Sequence, residues 1–199
     1  LARLIPQGAC DELTLLTGGA CTVTVTAEAG DTAMAESYRV SEAGLHLFRF
    51  DTRDFTGAER VTVDAGECGA VNYSVIPAVR DGVRLAWRSS AGSVEHYTFP
   101  VVRTVTVRAE RREAEGPEGR VVAASSAGRE TLLASAYEGQ AVLEALACLT
   151  AAPEVWIAEG DVYMPVCVVT DEAVVRRHGT LCCLEIAIRP KRKSRVSWN

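Results

Sequence analysis

No apolar run in this 199-residue chain is long enough to cross a bilayer. No basic segment followed by a long apolar core opens it, so no signal peptide is legible, although the first residue is Leu1 rather than methionine. The short motifs that carry chemistry are also missing. There is no CxxC pair to build a structural zinc site. No HxH or HExxH spacing gathers the three histidines on a metal, and neither a GxSxG nucleophile turn nor a GxxxxGK[ST] phosphate loop occurs. Asp51, Asp54 and Asp64 flank turns, where carboxylates bond their own backbone, and they do not follow the acidic spacing of an EF-hand. No internal repeat is present. A net charge of -5 speaks against a general nucleic-acid binder. No catalytic residue, cofactor, metal, small-molecule substrate, specific nucleic acid or membrane partner is therefore expected.

What the chain does have is two-residue periodicity. Hydrophobic residues make up 48%, ordinary for a packed protein, and the length suits one large domain or two small ones. Cys21, Val23 and Val25 alternate with threonines, which predicts a half-buried strand. Further strands are expected at 35–40, 45–50, 61–63 and 71–75, separated by Gly- and Asp-bearing turns. Residues 77–82 read as a joint. Beyond it, Val83, Leu85 and Trp87 alternate, and 94–99 is expected to return as a hairpin. The charged stretch 108–120 holds Gly116, Pro117 and Gly119 and reads as a solvated loop, with short strands at 121–125 and 129–133. One segment departs from the pattern. Ser135 and Glu138 match a capping box, and Val142, Leu146 and Leu149 stack at helical spacing until Pro153. Strands at 155–157, 162–169 and 181–188 follow, with Pro165 marking an edge or a bulge. The expected fold is mainly β. An antiparallel β-sandwich occupies residues 1–80. A second part, 81–199, is a β-sheet or open barrel with one packed helix at about 136–150 and a basic C-terminal tail.

Seven cysteines at irregular spacing are expected to be reduced thiols, and Cys10 with Cys21 or Cys68 is the first pairing to test. His96 is the best single candidate for a general base. Its neighbour Glu95 points the other way on a strand, so a surface role on the hairpin is the plainer expectation. His46 alternates with Phe48 and Phe50 and reads as a satisfied structural histidine, and His178 beside Gly179 reads as a turn residue. The basic tail could meet an acidic partner by charge, and Trp198 is an unusual side chain for a purely solvated end. The candidate contact residues are thus Lys191, Arg192, Lys193 and Trp198 in the tail, with Trp87 and Tyr97 on the hairpin.

Residues 83–190 carry a specific order of features. Leu85-Ala86-Trp87-Arg88-Ser89-Ser90-Ala91-Gly92 precedes Glu95-His96-Tyr97-Thr98-Phe99. Then come a helix, the Val155-Trp156-Ile157 strand, the Met164-Pro165-Val166 step and a last strand ending at Arg189. This order resembles that of prophage and bacteriophage virion proteins. The resemblance implies a non-enzymatic structural component, tail-associated, with no catalytic residues to carry over. It implies a place in the virion after synthesis in the host cytoplasm. Its partners would be other virion proteins or copies of itself, a homo-oligomeric ring being one arrangement such parts take. The alternative is a bacterial cell-surface or secreted β-sandwich module that binds glycan or protein, with Trp87, Tyr97 and Phe99 as its stacking platform. A third option is a hydrolase whose carboxylates meet only in the fold.

Overall fold

The computed structural model describes residues 2–90, 92–160, 162–175, 182–191 and 194–195. The chain is mainly β with a single α-helix. Its first half holds β1 (Ala2–Pro6), β2 (Cys10–Thr17), β3 (Cys21–Ala29), β4 (Thr32–Val40), β5 (Gly44–Asp51), β6 (Arg60–Asp64) and β7 (Ala70–Ile76). Five of these form a sheet in the order β1-β7-β6-β3-β4, while β2 and β5 pair as a separate ribbon. The alternation in β3 buries Val23, Val25 and Ala27 on one face. The ribbon answers with Leu13, Leu15 and Phe50, and the two layers enclose one apolar core with Ile5, Val61, Val63 and Tyr73. Each fully buried aliphatic chain contributes about 1.5–3 kcal/mol. Gly30, at φ 55°, takes the first place of the two-residue turn between β3 and β4, which calls for a left-handed backbone.

The strands expected between residues 21 and 75 are all present. Two more lie where none was expected, in residues 2–17. In β2 an inward position is taken by Asp11, so the apolar alternation is broken there. In β1 Ile5 is buried in the first core while Leu4, partly buried, packs against the second, so no one-faced alternation marks the strand. β1 pairs with β7 in parallel, so this layer is not purely antiparallel.

The second half contains β8 (Val83–Arg88), β9 (Val94–Phe99), β10 (Val101–Gly116), β11 (Gly119–Ala134), α1 (Gln140–Ala147), β12 (Val155–Glu159), β13 (Val162–Val168), β14 (Glu185–Pro190) and β15 (Ser194–Arg195). The sheet order is β10-β11-β14-β13-β12-β8-β9, with β15 added against β11. Among the described residues no ladder joins β9 to β10, so the sheet stays open. Leu143, Leu146 and Leu149 pack with Leu85, Trp87, Tyr97, Phe99, Val155 and Val166 in a second core.

Three expectations in this half are corrected. Residues 108–120 are not a loop. They belong to a hairpin of two 16-residue strands closed by Pro117 and Glu118, and the two short strands foreseen beyond it are one strand, β11. Its distal side chains are exposed on both faces, so nothing imposes the apolar alternation by which strands are read. The helix is shorter than 136–150, and the capping box does not form. Ser135 donates instead to the Ala136 carbonyl and accepts from the Leu184 amide at 2.8 Å, while Glu138 accepts from Tyr97. Gly139 occupies the N-cap and a 3-10 turn, Cys148–Ala151, ends the segment. Finally, β13 is interior to the sheet, yet Pro165 obeys the edge rule locally. Its carbonyl accepts from the Lys191 amide just past the last β13–β14 pair, Val166 and Pro190, so its missing N–H faces the end of that ladder. The strand expected at 181–188 begins at Glu185; Leu181, His178 and Gly179 lie outside the described residues.

Candidate functional site

The β8–β9 hairpin has two buried faces. One turns Leu85, Trp87, Tyr97 and Phe99 into the second core. The other carries Arg84 and Ala86, which lie opposite Thr98 and His96 in register, and meets β2 from the first half. There Asp11, 1% exposed, lies 2.7 Å from His96 Nδ1 and 3.3 Å from an Arg84 guanidinium nitrogen. The carboxylate sits off the ring N–H direction, so the His96 contact is close but not a linear hydrogen bond. Arg84 also donates to the Cys10 carbonyl at 3.1 Å and to Thr98 Oγ1 at 3.0 Å. Its Nε and the Tyr73 hydroxyl are buried without a hydrogen-bond partner. Burial alone would raise the Asp11 carboxyl, but His96, Arg84 and Arg3 outweigh it and hold the group below its ordinary value. Arg3 and Glu95, 2.7 Å apart, close the cluster on one side.

His96 Nε2 faces the Tyr163 hydroxyl at 3.1 Å. Burial, with Glu12 next in effect, raises that phenol and keeps it neutral. A cleft of about 230 Å³ opens beside these groups, lined among others by Cys10, Asp51, Arg53, Arg84, His96 and Tyr163. Both ring nitrogens of His96 thus face protein groups, and the third member in reach is a neutral phenol. The arrangement clamps the two halves together. The surface role expected for His96 is corrected, since the residue is 5% exposed. Sequence reading missed Asp11 and Arg84. The one available signal was a charged residue at an inward-facing position of each strand. No group of three or more metal-binding side chains converges among the described residues.

The other sequence candidates fall elsewhere. Trp87 and Tyr97 are core side chains, as is Phe99, so a stacking platform on them is corrected: they share a buried core with Leu143, Leu146 and Leu149 of the helical segment. The Tyr97 hydroxyl donates to Glu138 Oε1 at 2.8 Å and accepts from the Ala136 amide at 3.2 Å, tying β9 to the entry of α1. Burial, then Glu138, pushes this phenol up. Lys191 is exposed. Arg192, Lys193 and Trp198 lie outside the described residues. His46 is half-buried and its Nε2 lies 2.9 Å from the Glu42 carbonyl, a satisfied structural histidine. Asp51 and Asp64 accept from the backbone amides of Arg53 and Gly66, each at 2.8 Å, as turn carboxylates do. Cys10, Cys21 and Cys68 are thiols.

The largest exposed feature is the β10–β11 hairpin. Its base reaches the second core through Val102 and Leu133, and β14 pairs with the base of β11 only as far as Thr131. Outward from β15, which pairs Ser126 and Ala127, the hairpin is a two-stranded ribbon. β10 is an edge strand of the sheet, and Val107 on it is 67% exposed. A second exposed apolar patch, Leu16, Leu45 and Leu47, lies on the outer face of the β2–β5 ribbon. No family model, curated protein or solved structure matches this chain.

Proposed function

We propose that this protein is a non-enzymatic structural component of a phage or prophage virion, tail-associated, working through protein–protein assembly with copies of itself or with other virion proteins. The observation that carries the reading is the hairpin of two 16-residue strands whose outer edge has no hydrogen-bonded neighbour among the described residues. An unpaired edge of that length is a template for another chain. The buried Asp11–His96–Arg84 cluster fits the same reading, because a rigid joint between two halves transmits load. The aromatic platform that favoured a glycan-binding module is buried.

Mass spectrometry of particles purified from an induced lysate of a strain carrying the gene tests the proposal. Peptides of this chain are expected in the particle fraction at multi-copy abundance. Their absence from purified particles, with the protein present in the lysate, overturns the reading.

A further inference from the structure

Granting that assembly reading, we propose that β10 pairs antiparallel with β10 of a second copy of this chain, about a two-fold axis passing at Ala109. Among the described residues the edge strand has backbone groups to offer, and its charged side chains discriminate between registers. Directly opposed residues in an antiparallel pair point to the same face. A two-fold relating two copies of one strand must therefore pass at a residue, so that each residue at a given distance before the axis meets the one at that distance after it. Along β10, alternation is continuous from Thr104, because the extra residue at the first register shift is Arg103 and the second shift adds a residue to β11.

The sequence from Arg108 reads Arg-Ala-Glu-Arg-Arg-Glu. An axis at Arg108, Arg111 or Arg112 sets an arginine against its own copy, and an axis at Glu110 or Glu113 does the same with a glutamate. An axis at Ala109 sets Arg108 against Glu110 of the other copy, twice by symmetry. No like charges meet anywhere along that pairing. It also sets Val107 against Arg111 and Val105 against Glu113, so long side-chain stems cover two valines that stand 67% and 43% exposed. Glu110 keeps its 3.4 Å bond from Ser126 within its own hairpin, and Glu113 keeps its 3.8 Å contact with Arg120. The contact is isologous and closes on itself, so it yields a dimer and no open filament.

Size-exclusion chromatography with light scattering on the full chain, from micromolar to millimolar, tests the pairing. A monomer–dimer equilibrium is expected. Arg108→Glu opposes two glutamates at both symmetric positions and is expected to weaken the dimer about tenfold. Glu110→Arg does the same, and the double exchange Arg108→Glu with Glu110→Arg restores it. All four residues in play are exposed, and an unchanged urea midpoint shows that folding is intact. Ala109→Cys, with exposed Cys68 and Cys148 replaced by serine, is expected to cross-link to its own copy on mild oxidation, since opposed Cα atoms lie about 4.5–5.5 Å apart. A chain that stays monomeric throughout, a dimer indifferent to Arg108→Glu, or no cross-link at position 109 overturns the pairing. A dimer indifferent to that charge leaves the assembly reading standing and moves its interface elsewhere.

Discussion

Replacing Asp11 by asparagine removes one charge from the joint between the two halves and leaves the rest of the side chain in place. Arg84, with 10% side-chain exposure, then has no buried anion within reach, and its Nε is already without a partner. Breaking a buried pair from one side costs about 3–5 kcal/mol, because the remaining charge stays desolvated. Against a total stability of about 5–15 kcal/mol that is a large fraction. Arg84→Met removes the cation instead, and the double variant Asp11→Asn with Arg84→Met leaves no uncompensated charge. The double is expected to recover about 2–3 kcal/mol relative to the sum of the singles. Urea unfolding followed by tryptophan fluorescence measures each step. The pH dependence follows from the direction of the Asp11 shift. A carboxyl held below its ordinary value stabilises the fold above the unfolded pKa, near 3.8, and that contribution is lost as pH falls through the lower folded value. Wild-type stability should therefore drop below about pH 4 by a component that Asp11→Asn lacks. A loss under about 1 kcal/mol in Asp11→Asn, with additive singles, would refute the claim that Arg84 depends on this carboxylate.

Leu146→Ala removes one of the two buried side chains by which α1 packs on the second core and is expected to cost about 2–5 kcal/mol in urea unfolding, with α1 amides losing hydrogen-exchange protection first. Gly82→Ala is expected to lower thermal stability by about 1–3 kcal/mol. A methyl there would stand 2.8 Å from Val79 Cγ1 and 3.2 Å from the Phe99 carbonyl, and calorimetry reads the shift. Tyr97→Phe keeps the ring in the core but strands Glu138 and the Ala136 amide, which should cost about 1–3 kcal/mol with the near-UV circular dichroism of the core retained.

How far the chain could be read depended on whether a strand has one dry face. Where it does, as in β3 with Val23 and Val25, alternation marks the strand and its inward side. Where both faces are wet, as along β10 beyond Val107, charged residues fill most positions with no alternation and a strand looks like a loop. Where an inward position is charged, as at Asp11, the pattern breaks although the strand persists. The Ser135–Glu138 spacing fits a capping box, but Glu138 finds a stronger partner in Tyr97, a residue 41 positions away.

The amino-acid order by itself determined a mainly β chain with one helical segment in its second half, because periods of two and of 3.6 residues are local properties of the backbone. Only the tertiary structure decided that Asp11, Arg84 and His96 share one buried joint and that β10 stands at the edge of its sheet. Those facts depend on which strands become neighbours, and that is settled by burial across distant parts of the chain.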